Sequence, residues 1–554
     1  MKNLGKIHYL IIGAWFVINL LQAVFTGLHS DESYYWMFSQ NLDWGFFDHP
    51  PMAAFFIFLG NTLLPGEIGV RLFIILLSTI TFALLLNELN EKKDFYFLIV
   101  FMLSFPLMHT HIAGFLAIPD IPLLFFTLVF LLLYKQLLEK PGWGISILLG
   151  ITAATMIYSK YHAFLVIGFT LLSNLKLLKS KYTYAIVLFS VILLIPHVLW
   201  QINNDFPTFK YHLIERSKPF QFKYIFPYLS GIILVAGPLS GFLVFWKLSK
   251  IKIESLFQRA LIFNIIGFIT LFFVMSFKNR IEIHWLAAII PMIMILCYPL
   301  ISSDPKIIKW FIRLSLPVIV LFFVYRIYLA LDVIPNIGNL KITFYNRESN
   351  AMQIKQMAGE KTVGFYNNYA AISNYIFYTG DSAVYLATPE YRFCQYDLWN
   401  FEQFAHGQTI MAIQSKHMNP PNLTQMTTGE SKGFIVIEDF QSLKGLLIHV
   451  DSVVETNENV LLRISLKNST DYSIFTNHTS EPAIAIAQRN NILIDFKLTD
   501  LSPVKEILPG KKISFQMAIP KKSGIENNSL TVFTKTKENY RGELVPVKIK
   551  SFTN

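Results

Sequence analysis

Two short stretches near the N-terminus hold the residue types that chemistry needs. Ser30-Asp31-Glu32-Ser33-Tyr34-Tyr35-Trp36 is followed by Trp44-Gly45-Phe46-Phe47-Asp48-His49-Pro50-Pro51. Carboxylates and an imidazole among aromatics, beside apolar spans, are costly to keep at a membrane unless they line a site or pathway. A partly desolvated carboxylate can take a proton from an attacking hydroxyl, which makes Asp31 or Glu32 a candidate general base. The competing reading is that Ser30-Asp31 caps a helix over Ser33 to Gln40, and one carboxylate can cap while the other reacts. Asp48 and His49 carry the same two readings. They either initiate a helix ahead of Pro50-Pro51, or contact substrate beside an aromatic surface of Trp44, Phe46 and Phe47.

Further along, Asp120 sits in Ile118-Pro119-Asp120-Ile121-Pro122 at the start of an apolar span. It reads as a cap, or as an acidic group that binds the acceptor or a cation. Lys160-Tyr161-His162 and the later turn with Lys278, Arg280 and His284-Trp285 are expected on the same outer side as Asp31. Interfacial anchoring explains such residues singly. Together these cations suit a phosphate whose charge grows as a bond breaks. There is no Gly-rich phosphate cradle and no metalloprotease helix motif. His109 and His111, two apart, do not share a helix face, so they argue weakly for a metal. No obligatory metal or other cofactor is expected.

The elements that position these residues are membrane spans. Of the 554 residues, 53% are hydrophobic and 15% aromatic, too apolar for an ordinary soluble chain. Crossing about 30 Å of hydrocarbon takes about 20 apolar residues. Spans are expected near 7–28, 67–88, 94–109, 116–138, 143–159, 162–178, 182–200, 224–247, 256–277, 284–303 and 306–332. Pro51 to Leu64 reads as a short interfacial helix. The first span is too long for a cleaved signal and is read as retained.

Lysines at 2, 6, 92, 93, 135, 140, 176, 179, 181, 247, 250, 252, 306 and 309 fall on one side of this topology, which predicts a cytoplasmic N-terminus. The acidic loop and the C-terminal region then face outward. The 201–223 loop, with Lys210, Arg216, Lys218 and Lys223, is the exception. The net charge of +11 points to lipid phosphate, and no basic, aromatic-interleaved run suggests nucleic acid. Cys297 and Cys394 are not expected to pair.

The fold class expected is a polytopic α-helical membrane protein of about 11 spans over residues 1–335. A soluble α/β unit over 340–445 and a β-sandwich over 446–554 follow. The expected location is the inner (plasma) membrane.

The ordered set Asp31-Glu32-Ser33-Tyr34-Tyr35-Trp36, Phe47-Asp48-His49-Pro50-Pro51, Pro119-Asp120-Ile121-Pro122-Leu123-Leu124-Phe125-Phe126, Ser159-Lys160-Tyr161 and His284-Trp285-Leu286-Ala287-Ala288 resembles membrane glycosyltransferases of the GT-C type. The nearer likeness is to bacterial members of the protein O-mannosyltransferase and lipid A aminoarabinose transferase superfamily. The likeness covers about residues 1–300 and leaves 340–554 unmatched. It implies transfer of a sugar from a polyprenyl-phosphate carrier to a lipid A, glycan or protein acceptor on the outer membrane face.

By that resemblance Asp31 is the catalytic carboxylate, Glu32 completes its acidic pair and Asp120 is a further acidic site residue. Asp48, His49, Tyr35, Lys160, Tyr161, Arg280 and His284 are the candidates for substrate binding, with Lys160 on the phosphate. The aminoarabinose transferases have lysine where His49 stands, so a phosphate contact there depends on protonation. A membrane transporter or an envelope-assembly protein is the alternative class. A transporter more often shows two related halves with broken helices, and none is found in this sequence.

Overall fold

A run of twenty apolar residues can satisfy its backbone in lipid only as a helix, and most of residues 6–330 forms helices. The computed structural model describes residues 4–89, 94–212, 219–331, 344, 346–389, 391–399, 401–414, 424–425, 433–488, 491–520, 529–538 and 540–548. Lys2, Lys92, Lys93, Arg216 and Lys218, used above to orient the chain, lie outside them. The chain divides into two compact units, Met1–Tyr345 and Asn346–Asn554.

In the first unit the helices are α1 (Lys6–Phe25), α2 (Ser30–Gln40), α3 (Met52–Leu63), α4 (Gly66–Leu89), α5 (Phe95–Leu103), α6 (Asp120–Glu139) and α7 (Trp143–Ser159). They continue as α8 (Ala163–Ser173), α9 (Lys181–Asn203), α10 (Pro207–Lys210), α11 (Ile225–Val235), α12 (Gly241–Leu248), α13 (Leu256–Ser276), α14 (Ile290–Ser302) and α15 (Pro305–Ala330). Among the described residues seven helical segments are long and apolar enough to cross a membrane: α1, α4, α6, α9, α13, Ile283–Ser302 and α15. The chain is a multi-pass membrane protein.

The other four expected spans are shorter than a full crossing. The expected span over 94–109 yields only α5, which ends ahead of Ser104-Phe105-Pro106. Helices α7 and α8 have 17 and 11 residues. The span expected over 224–247 is two helices, because Gly237 takes φ +112 just before Pro238. Only glycine adopts that backbone readily, and proline disfavours helix in the residue before it.

The second unit opens with α16 (Arg347–Ala358), β1 (Thr362–Tyr366), α17 (Tyr369–Thr379), β2 (Ala383–Leu386), β3 (Ile410–Gln414), β4 (Thr424–Gln425) and β5 (Gly433–Ile437). These strands form one mixed sheet in the order β2-β1-β3-β5-β4, with β1 parallel to both β2 and β3. From Leu446 onward the strands are antiparallel, in sheets of three, four and two. One apolar core joins both regions, from Tyr366, Val384 and Ile410 to Leu462, Ile484 and Val532.

Candidate functional site

The start of α2 sets the position of the first acidic pair. His29 is the N-cap. Its Nδ1 accepts from the Asp31 amide at 3.2 Å, and Glu32 Oε2 accepts from the His29 amide at 2.8 Å. This reciprocal cap begins the helix at Ser30, three residues before the expected start. The capping expected of Ser30-Asp31 is thus done by His29 and Glu32.

Glu32 is also half of a buried ion pair. Arg71 Nε and Nη2 donate to its two oxygens at 2.8 and 2.6 Å, and both side chains are fully buried. The guanidinium further donates to the carbonyls of Ala23, Thr26 and Gly27, while the Ala117 amide donates to Glu32 at 2.7 Å. Burial alone would raise the Glu32 carboxyl, but the Arg71 charge together with the hydrogen bonds from Arg71 and the Ala117 and His29 amides holds the group below its ordinary value. One side chain therefore ties α1, α2, α4 and the segment before α6 together. Asp31 projects from this fixed turn, 44% exposed, with His29 Nδ1 at 3.7 Å.

Asp120 is the first residue of α6, and its side chain makes no cap. Both of its oxygens accept from Lys160 Nζ, at 2.8 and 2.9 Å, in a nearly buried pair. Histidines surround that pair. His111 and His284 stack at 5.0 Å, and both act electrostatically on Asp120. His49 and His162 feel Lys160 and Asp120, and His29 lies within electrostatic range of His111. The first acidic turn and the Asp120–Lys160 pair thus share one polar neighbourhood.

Tyr35 packs edge-on against the His49 ring at 5.4 Å. The loop that carries Asp48 and His49 is braced by α9. His197 Nδ1 bonds the Trp44 carbonyl at 2.6 Å, and Trp200 Nε1 donates to Asp43 at 2.7 Å. Tyr161 Oη meets His197 Nε2 at 3.0 Å and accepts from Gln201 at 3.1 Å. Gly45 is obligatory here, since a Cβ would stand 2.4 Å from the Trp200 ring. The helix after this loop is capped at Pro51, so Asp48 does not initiate it; the His212 ring bonds the Asp48 carbonyl at 3.2 Å.

Two expectations about accessible surfaces change. Phe46 and Phe47 are buried, Phe46 stacking on Phe38 at 4.2 Å, so of the three aromatics only Trp44 is exposed. Arg280 pairs with Glu282 at 3.2 Å while 74% exposed. Lys160, expected as a free cation, already holds a carboxylate. His109 stacks on Phe322 and bonds the Leu103 carbonyl, apart from His111. Among the described residues no three of His, Cys, Asp and Glu gather to hold a metal.

Arg71, His29 and His197 were not read as site residues. An arginine inside an apolar span was the available signal for the first, because it must find a partner.

Burial depresses the site histidines. It brings His111 down to about 4 and His162 to about 3, and with the Lys160 charge it puts His49 well below the ordinary range. They are neutral donors or acceptors at pH 7, so a phosphate contact by His49 is that of a neutral imidazole. On unfolding each returns to about 6.5 and takes up a proton. Folded stability should therefore fall as pH drops from about 6.5 toward those lower values. Thermal unfolding of the full chain between pH 7.5 and 5 measures this. The slope should flatten in His162→Gln, and an equal slope in that variant refutes the assignment.

The fold is shared with solved ArnT structures, and part of the first unit matches the model of a mannosyltransferase family. Residues 48–200 match the model of the family described as dolichyl-phosphate-mannose-protein mannosyltransferase. A lipid A galacturonosyltransferase, RgtD, of Rhizobium johnstonii is 24% identical over 206 residues; the match covers 34% of this chain and 41% of that protein. Two crystal structures of ArnT from Cupriavidus metallidurans share the fold, both with TM-score 0.53. The one bound to undecaprenyl phosphate is 15% identical and is covered over 98% of its length, against 78% of this chain. The apo form is 14% identical and is covered over 96%, again against 78% of this chain.

Proposed function

We propose that this chain moves a sugar from a polyprenyl-phosphate donor to a hydroxyl-bearing acceptor. Asp31 is the base, working on the extracytoplasmic face of the inner membrane. The observation that carries the reading is the Asp31 carboxylate, half-exposed on a turn fixed by the buried Glu32–Arg71 pair. In the step, Asp31 takes the acceptor's proton as its oxygen bonds to the anomeric carbon. The bond from that carbon to the lipid phosphate breaks, its electron pair leaves with the phosphate, and the anomeric centre inverts. Lys160, shared between Asp120 and the phosphate, offsets the growing negative charge. Glu32 acts through position, since its oxygens are engaged by Arg71 and two backbone amides.

A lipid acceptor is favoured because a relative carries the name lipid A galacturonosyltransferase, and a lipid-linked donor fits the fold shared with an ArnT that binds undecaprenyl phosphate. The N-terminus lies in the cytoplasm and residues 346–554 on the side of Asp31, as the lysine distribution indicates. Mass spectrometry of envelope lipids and glycoproteins, with and without the gene, tests the function. The expected result is one glycosylated lipid that disappears with the gene and returns with the wild-type chain. Unchanged lipids and glycoproteins, with solute flux into sealed vesicles instead, would make the protein a transporter.

A further inference from the structure

A second site lies at the other end of the bundle from Asp120. An elongated groove of about 250 Å³ runs between α6, α7, α8 and α9, with almost wholly apolar walls that include Leu137, Ala153, Ile157, Phe164 and Leu194. At one end it is lined by Tyr134 and Thr183. Thr183 Oγ1 is buried without a hydrogen-bond partner, while the Tyr134 hydroxyl, on a residue only 3% exposed, is held by Asn174 and Ser173. Asn174 and Arg259 lie beside the Tyr134 hydroxyl. Arg259 Nε is also buried and unbonded. Among the described residues no carboxylate pairs with Arg259. Lys135, nearby on α6, is already paired with Glu88 at 2.6 Å.

The rim of this polar end is basic and aromatic. Lys176, Lys179 and Lys181 are exposed there, and Lys181 Nζ stands 5.7 Å from the Trp143 ring and 5.4 Å from Tyr182. Lysine with Trp and Tyr marks a membrane interface, and such clusters attract anionic headgroups. Tyr134 stands 14 residues along α6 from Asp120, about 21 Å at 1.5 Å per residue. The groove's polar mouth therefore opens at the leaflet opposite the sugar-transfer site and is not the donor's phosphate site.

We propose that this groove holds one anionic glycerophospholipid. An acyl chain lies between the four helices, and the phosphate sits against Arg259, the Tyr134 hydroxyl and the lysines of 176–181. A buried hydroxyl and a buried guanidinium nitrogen without partners, below a basic rim at one end of an apolar channel, are complementary to a phosphodiester on an alkyl chain.

The test is native mass spectrometry of the full-length protein in neutral detergent, titrated separately with phosphatidylglycerol, phosphatidylcholine and a polyprenyl phosphate. One phosphatidylglycerol should be retained at least about fivefold over phosphatidylcholine, as one basic contact at the surface gives. The double variant Arg259→Gln, Tyr134→Phe should bring the two lipids to parity. Ala153→Phe, which fills the groove, should abolish retention while the protein still elutes as a folded species and transfers sugar. Equal retention of both lipids by the wild type, a preference that survives the double variant, or retention of polyprenyl phosphate in place of phosphatidylglycerol overturns the proposal. Should either variant fail to fold, the wild-type comparison of the three lipids decides alone.

Discussion

Asp31→Asn should lower sugar transfer by about 10²- to 10⁴-fold, the usual worth of a positioned general base, while leaving the fold intact. The size of the effect follows from how the other carboxylates are used. Both oxygens of Glu32 are committed to Arg71 and to backbone amides, and both oxygens of Asp120 are committed to Lys160. The Asp31 side chain is 44% exposed, with His29 Nδ1 beside it at 3.7 Å. Its cap interaction runs through its own backbone amide, which asparagine keeps. Stability should thus change by no more than about 0.5 kcal/mol, as for surface substitutions away from special features. Purified variant and wild type, assayed with a polyprenyl-phosphate sugar and followed by mass spectrometry of the product, measure this. Activity within twofold of wild type, at normal thermal stability, would remove Asp31 as the base.

Arg71→Met should have the largest effect on stability. It strands a fully buried carboxylate, which costs about 3 to 5 kcal/mol, and it leaves the carbonyls of Ala23, Thr26 and Gly27 without their donor. Each such orphan adds about 1 kcal/mol or more. Adding Glu32→Gln removes the buried charge but not the orphaned carbonyls, so the double variant should recover only part of the loss. Thermal shift assays of the two single variants and the double close the cycle. The double variant should also transfer sugar slowly, because the turn that carries Asp31 loses its anchor. Additive single effects would mean that Arg71 and Glu32 are not coupled. Full recovery of rate in the double variant would mean that the pair contributes stability alone.

Part of the polar cluster was legible because it is local. Asp31, Glu32, Asp48 and His49 lie within one loop, and a charged loop at a membrane edge stands out from apolar flanks. The sequence did not tell that Glu32 is engaged in an ion pair, since that depends on Arg71, 39 residues away. Lys160 was read as a free cation for the same reason. Its partner Asp120 is 40 residues distant, and nothing in either local stretch announces the pair. Arg280 stood in the opposite position: its charge was visible, but its exposure and its bond to Glu282 were not.

What the sequence determined alone was the membrane class, the seven long spans, a short helix within 51–64 and the strand-rich C-terminal region. Each follows from periodicity or from unbroken apolar length, which neighbours in the chain fix without help. Only the tertiary structure decided how the four shorter apolar stretches are divided, and which polar side chains meet. It also decided that burial lowers His49, His111 and His162. A break such as that at Gly237-Pro238 is a local event, but its outcome depends on what the two pieces pack against. Pairing and burial are set by residues tens of positions apart, and these set the charge state of a membrane site.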